Sequence, residues 1–205
     1  AGKVRRKSGA DAGRFERQFK MKKMKFAALL LALMMMVMTG CSNDVPFEVK
    51  TVTVDEVAQK MENKETFVLQ VERENCPFCA ATDAYLEETR KDHPNTVLYR
   101  LDSTAYELMR EQEGDMTLIS KTEEGRKFLS LFPYFLYTPT VYLIKDGVPT
   151  SAGIGYDEKT HAFSEWTVDS TINWDEAKPV DVWEFISRGQ AAPETSAAAS
   201  QQKSN

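Results

Sequence analysis

The chain has 205 residues, 42% of them hydrophobic and 28% charged, a composition typical of a globular protein. Its first forty residues hold ten Lys/Arg and two Asp/Glu, so 16 basic and 29 acidic residues lie beyond them, a formal charge of −13. A module this acidic has no electrostatic footprint for nucleic acid, and its surface is repelled by anionic lipid headgroups.

Residues 21–40 have the pattern of a bacterial export signal. A basic segment, residues 21–25, precedes an unbroken apolar run, residues 26–38, which is too short to span a bilayer comfortably. The run ends in Met38-Thr39-Gly40-Cys41, which resembles a lipobox, and this resemblance implies that Cys41 is lipidated. The alternative is an ordinary secretory signal with Cys41 left free. Both interpretations predict export, and the first predicts a lipid anchor on the outer face of the bacterial cytoplasmic membrane.

The rest of the chain divides by composition. Residues 1–20 are polar and basic, and we interpret them as a translated upstream stretch or an artificial extension. A genuine cytoplasmic extension, with residues 26–38 as an uncleaved anchor, is the alternative. We expect a tether over residues 41–47, one domain over residues 48–188, and a disordered Ala/Ser/Gln-rich tail over residues 189–205.

The first half of the domain reads as alternating strands and helices. Strands are predicted over residues 48–52, 67–71 and 96–101, the last of them leading into Asp102. The capping box Thr53-x-x-Glu56 predicts a helix that runs to Met61, and a second helix is predicted over residues 80–91.

The second half is less regular. Helices are predicted over residues 105–113, closed by Gly114, and over residues 120–132. Asp146-Gly147 predicts a hairpin turn between strands at residues 137–145 and 148–154. Residues 156–178 have no clear period, and residues 181–188 predict a last amphipathic helix.

The chemistry of the chain centres on Cys76-Pro77-Phe78-Cys79, between a predicted strand and a predicted helix. A helix N-terminus supplies partial positive charge and free N–H groups, which favour a thiolate on Cys76. Cys79 is one turn further along, close enough to form a disulfide. We expect Cys76 to be exposed at the start of the helix and Cys79 to be more shielded. With Cys41 lipidated, these are the only remaining cysteines, so the fold rests on packing and the pair is free for redox chemistry.

These motifs together resemble the thioredoxin superfamily over roughly residues 48–188. The resemblance implies an α/β, thioredoxin-like fold with a central mixed sheet of four to five strands, flanked by helices, with two insertions. It rests on the C-x-x-C after a strand, Asp102 at the end of the next strand, Thr138-Pro139 opening a strand, and the Lys145-Asp146-Gly147 turn.

The same resemblance implies the roles of the site residues. It makes Cys76 the attacking thiolate and Cys79 the resolving thiol, with Pro139 in a cis peptide beside the disulfide. It places Thr138, together with Pro77 and Phe78, against bound substrate. The redox-active disulfide would serve in place of any cofactor.

The sequence differs from the thioredoxin pattern in three respects. The intervening Pro-Phe is nearer to the Pro-Tyr of glutaredoxins, although no glutathione-binding set is evident, and Asn75 replaces the usual Trp. Gln70 stands where a buried acid usually assists the second cysteine, and Gln cannot exchange a proton. Glu72 and Glu74 are therefore the candidates for proton transfer, although both have the alternative of being solvated loop acids.

Two expansions separate the chain from a minimal thioredoxin. One lies between Asp102 and Pro139, where an aromatic cluster either lines a peptide groove or packs on the core; it comprises Phe128, Phe132, Tyr134, Phe135 and Tyr137. The other is the region without a period, which carries Trp166 and Trp174.

Two function classes remain. The first is an extracytoplasmic thiol-disulfide oxidoreductase that acts on exported protein or peptide thiols and disulfides, with a redox partner of unknown identity. The second is a non-catalytic accessory or binding lipoprotein, since thioredoxin-like proteins associated with bacteriocin export resemble this chain in size and layout. A zinc site would need two further ligands, and the chain has only two histidines, so we predict no metal.

Overall fold

The computed structural model describes residues 44–190. The predicted signal peptide, Cys41, residues 1–20 and residues 191–205 lie outside the described residues. Within residues 44–190, no helix is long and apolar enough to cross a membrane.

Strands and helices alternate in the first half of the described chain, and strands dominate the second. The strands are β1 (Glu48–Thr51), β2 (Phe67–Glu72), β3 (Val97–Asp102), β4 (Thr140–Lys145), β5 (Val148–Asp157), β6 (Ala162–Thr167) and β7 (Lys178–Asp181). The α-helices are α1 (Val54–Glu62), α2 (Pro77–Thr89), α3 (Glu123–Leu131) and α4 (Val182–Ser187).

The strands form one mixed sheet in the order β1-β3-β2-β4-β5-β6-β7. β1, β3 and β2 are parallel, and each later strand is antiparallel to its neighbour. The predicted α/β class is therefore confirmed, while the expectation of four to five strands is wrong, because the sheet has seven.

The additional strands β6 and β7 come from the region without a period. In β6, Phe163 is buried in the core on one face of the sheet and Trp166 in the core on the other face. A strand that places apolar side chains on both faces loses the period-two alternation by which a strand is recognised. β7 is only four residues long and contains Pro179, which weakens its signal further.

Two hydrophobic cores lie on opposite faces of the sheet. Phe67, Leu69 and Val71 of β2 face the core under α1 and α3, whereas Val68 faces the core under α2 and α4. Gln70, next in the same alternation, is fully buried on the α2 side. The sheet therefore presents a polar side chain beneath the helix that begins at Cys76.

Local signals predicted two elements correctly. The capping box is present, since Thr53 Oγ1 accepts from the Glu56 N–H and the Glu56 carboxylate accepts from the Thr53 N–H. The Asp146-Gly147 turn joins β4 and β5, and both turn residues have positive φ, 50° and 78°.

The helix predicted over residues 105–113 is wrong. The chain makes only one 3₁₀ turn, Thr104–Tyr106, and leaves it at Glu107, which has a φ of 49°. The Tyr106 carbonyl accepts from the hydroxyl groups of Ser120 and Thr122, so it does not serve a following helical turn.

Both ends of the described chain contact the domain. Phe47, in the predicted tether, packs edge-on against Trp183 with ring centroids 4.9 Å apart. At the other end, the Gln190 side chain accepts from the Val97 N–H at 2.8 Å and donates to the Ile186 carbonyl at 2.8 Å. The first two residues of the predicted tail, residues 189 and 190, are therefore packed against the fold.

Candidate functional site

Cys76 and Cys79 form a disulfide where β2 leads into α2, with an S–S distance of 2.08 Å. Asn75 reverses the chain with a φ of 57°, a left-handed conformation that Asn tolerates better than most residues. Cys76 is the N-cap of α2, Pro77 occupies the start of the helix, and the Cys79 N–H donates to Cys76 Sγ at 3.1 Å. The helix end therefore supplies a hydrogen bond to Cys76, as its position in the sequence predicts.

Both cysteines are more enclosed than the sequence predicts. Cys76 is 7% exposed and Cys79 is 4% exposed, so the expectation of an exposed Cys76 is wrong for the disulfide form. The two residues differ instead in what they face. Of the two depressions described below, Cys76 lines both, whereas Cys79 lines one. Cys76 is therefore the cysteine that both depressions share.

The wide cleft, as we call the larger depression, has a volume of about 770 Å³. Its lining includes Cys76, Phe78, Leu108, Met109, Tyr137 and Thr138. The structure thus brings Thr138, Pro77 and Phe78, the predicted substrate-binding residues, to one cleft beside Cys76. The predicted cis peptide between Thr138 and Pro139 is confirmed, and Pro139 is buried.

The hollow, as we call the second depression that Cys76 lines, has a volume of about 500 Å³. Its walls include Cys76, Cys79, Glu72 and Asp83. Asp83 is four residues after Cys79 on α2, so the two side chains lie on the same face of the helix. An acidic residue from the strand and one from the helix therefore share a hollow with both cysteines.

A polar network holds these two carboxylates. Gln70 Nε2 donates to Glu72 Oε2 and to Asp83 Oδ1, both at 3.2 Å. Arg100 Nε lies 3.3 Å from Glu72 Oε2, and the same guanidinium donates to Asp83. Gln70 Oε1 is buried without a hydrogen-bond partner among the described residues. Gln70 therefore occupies the position of the expected acid and positions two neighbouring acids.

The two candidate proton-transfer residues lie in different places. Burial raises the pKa of the Glu72 carboxyl above its ordinary value, an effect that Arg100 opposes and Asp83 reinforces. Glu74 is exposed and borders the wide cleft, away from Cys79. Glu72 has a raised pKa and lines the hollow that Cys79 also lines, and these are properties that suit a general base for that thiol.

Sequence reasoning missed Asp83 and Arg100. The spacing of Asp83 from Cys79 is a helical i, i+4 relation and was available as a signal. Arg100 is paired with Gln70 across β2 and β3, and this register is visible only in the folded sheet. Of the aromatic cluster, Phe128 and Phe132 are core residues, while Tyr137 is exposed at the wide cleft. Packing on the core is thus confirmed for Phe128 and Phe132, and Tyr137 lines a cleft, while a peptide groove stays a prediction.

Within the described residues, no group of three or more His, Cys, Asp or Glu side chains is arranged to hold a metal ion. In comparisons with known proteins, no protein-family model and no curated protein matches the chain.

Proposed function

We propose that the protein is a thiol-disulfide oxidoreductase that uses the Cys76–Cys79 pair. The proposal rests on one observation: the disulfide lies at a helix N-terminus, and its first cysteine, Cys76, borders an open cleft. A disulfide that closes so short a loop adds little chain-entropy stabilisation, so a purely structural role explains it poorly.

The reaction is reversible thiol-disulfide exchange. A substrate thiolate attacks Cys76 Sγ, the Cys76–Cys79 bond breaks, and Cys79 leaves as a thiolate. A second substrate thiolate then attacks the substrate sulfur of the mixed disulfide, releasing oxidised substrate and the Cys76 thiolate. Two electrons pass to the protein. In the reverse direction, Cys76 attacks a substrate disulfide, Glu72 accepts the proton of Cys79, and Cys79 resolves the mixed disulfide.

The proposal includes the family and the location. The strand–C-x-x-C–helix unit, with Thr138 at the same cleft, supports membership of the thioredoxin superfamily, and β6 and β7 would then be additions to its sheet. The lipobox-like sequence at Cys41 supports a lipid anchor on the outer face of the cytoplasmic membrane. Exported proteins and peptides are then the substrates, and a separate dithiol or disulfide protein recycles the pair.

The test separates the two thiols by substitution. We expect Cys79→Ser to accumulate mixed disulfides through Cys76, because the resolving thiol is absent, and Cys76→Ser to accumulate none. The measurement is mass spectrometry of alkylated adducts after reaction with a disulfide-containing peptide.

The outcome also decides between the enzyme and the non-catalytic accessory protein. A wild-type pair that dithiothreitol cannot reduce, together with no adduct in Cys79→Ser, would contradict the proposal. The double variant Cys76→Ser/Cys79→Ser is the matched control for adducts formed elsewhere on the chain.

A further inference from the structure

We propose that the wide cleft selects an extended, net-basic polypeptide segment that carries a cysteine next to an apolar or aromatic side chain. This inference rests on the proposed function and names its substrate class. The loop of residues 107–119, which we call the wall loop, forms the side of the cleft that recognises the apolar residue.

The wall loop is held in place by contacts within the protein itself. Met109 and Ile119 pair across it through two backbone hydrogen bonds of 3.0 and 2.8 Å. Arg110 Nε donates to the Asp115 carbonyl at 2.8 Å, and its guanidinium lies 5.4 Å from the centre of the Tyr137 ring. Backbone contacts thus fix the loop, and Arg110 holds it to Tyr137, which also lines the cleft. A loop that is already fixed lowers the cost of binding.

Apolar side chains are unusually exposed around this cleft. Five large ones, each between 41% and 52% exposed, lie on or beside it: Phe78, Met109, Ile119, Tyr137 and Trp174. Phe78, Met109 and Tyr137 line the cleft itself, Ile119 pairs with Met109, and Trp174 lies 6.2 Å from Tyr137 between ring centroids. Exposed apolar surface gathered at one place indicates a binding surface.

The position of the disulfide determines which functional group a bound polypeptide must carry. Cys76 borders the cleft, so a bound chain reacts there only through a thiol or disulfide. Folded proteins bury both cysteines and large apolar side chains, so a segment that exposes the two together is an extended or incompletely folded one. The cleft therefore fits polypeptides that have not yet buried their cysteines.

The charge of the domain adds a second criterion. Within the cleft, Arg73 and Arg110 balance Glu74 and Glu107, so its lining is neutral. Residues 44–190 as a whole carry 15 basic and 28 acidic side chains, a formal charge of −13. A field of this sign attracts basic polypeptides and repels acidic ones before contact is made.

The experiment measures how fast short dithiol peptides reduce the oxidised protein, followed by quenching and alkylation. Three peptides differ in one respect each: Phe beside the cysteine with Lys elsewhere, Ser in place of that Phe, and Glu in place of the Lys residues. We expect the Phe/Lys peptide to react about tenfold faster than the Ser/Lys peptide, from the burial of one aromatic side chain. We expect it also to react faster than the Phe/Glu peptide, by a factor that shrinks as salt is added.

Variants locate the preference on the wall loop. Met109→Ser and Ile119→Ser should each lower the ratio of the Phe/Lys to the Ser/Lys rate about threefold or more, through lost apolar contact. A ratio taken within one protein is insensitive to the fraction that is folded. Val148 is an exposed apolar residue at the end of β4 and β5 that is remote from Thr138, so Val148→Ser should keep the wild-type ratio.

Failure of the inference and failure of the proposed function give different results. Wild-type protein that exchanges with dithiothreitol but treats the three peptides alike would overturn the inference alone, as would a preference that survives both wall-loop substitutions. Wild-type protein that exchanges with neither dithiothreitol nor any peptide would overturn the proposed function as well.

Discussion

Gln70 and Glu72 lie on the same face of β2, two residues apart, and both belong to the network beside Cys79. Gln70 cannot take a proton, but its amide donates to both neighbouring carboxylates. Arg100 holds Asp83 and approaches Glu72, so the network contains two acids and one permanent cation. Burial raises the pKa of Glu72, the proposed proton acceptor, which lies two residues further along the strand than Gln70.

Glu72→Gln should slow the reduction of a model disulfide by the reduced protein. Above the raised pKa of Glu72, the wild-type carboxylate accepts the Cys79 proton, and we expect the variant to be about tenfold slower or more there. Below that pKa, Glu72 is protonated in the wild type as well, so the two rates should converge as the pH falls. The measurement is the pH profile of the single-turnover rate.

Glu87→Gln, on the exposed face of α2, is the matched control and should reproduce the wild-type profile. Parallel profiles for wild type and Glu72→Gln at every pH would rule out Glu72 as the proton acceptor.

At the scale of elements, Gln190, shortly after the end of α4, connects this helix to the sheet through hydrogen bonds. Its side chain accepts from the Val97 N–H at the start of β3 and donates to the carbonyls of Val97 and Ile186. Gly189 comes so close to β2 that a Cβ there would lie 2.4 Å from Val68 Cγ2. These contacts join the last helix to the strand that precedes the disulfide.

Gln190→Ala should destabilise the domain by about 1–2 kcal/mol, because it leaves partly buried backbone groups without their side-chain partner. The measurement is urea denaturation followed by fluorescence. Gln59→Ala, an exposed glutamine on α1, is the control and should change the free energy of unfolding by less than about 0.5 kcal/mol. Equal stabilities for the two variants would mean that Gln190 does not fasten α4.

At the scale of the whole molecule, an acidic domain is proposed to be held at a membrane whose anionic headgroups repel it. Under this proposal, the covalent lipid at Cys41 attaches the protein to the membrane, and the surface of the domain does not contribute. A lipid anchor would keep the wide cleft in the extracytoplasmic space, where newly exported chains expose their cysteines.

Mass spectrometry of the membrane fraction should find a mature N-terminus at Cys41 carrying a diacylglyceryl group. Cys41→Ser should remove the modification and shift the protein out of the membrane fraction, while Ser42→Ala, beside it, should not. Recovery of an unmodified Cys41 in membrane-bound wild-type protein would contradict the lipoprotein proposal.

The sequence by itself determined those features that depend only on residues close to one another along the chain. The Cys76/Cys79 spacing, the Thr53 capping box and the Asp146-Gly147 turn are each complete within a few residues, and each is present in the structure. The tertiary structure decided what depends on distant residues. Strand register brings Arg100 to Glu72 and Asp83. The chain does not continue as a helix after Tyr106, because its carbonyl accepts hydrogen bonds from Ser120 and Thr122. The strand β6 is stabilised by cores that cover both of its faces. Such contacts form only when remote segments are packed together, so no local pattern records them.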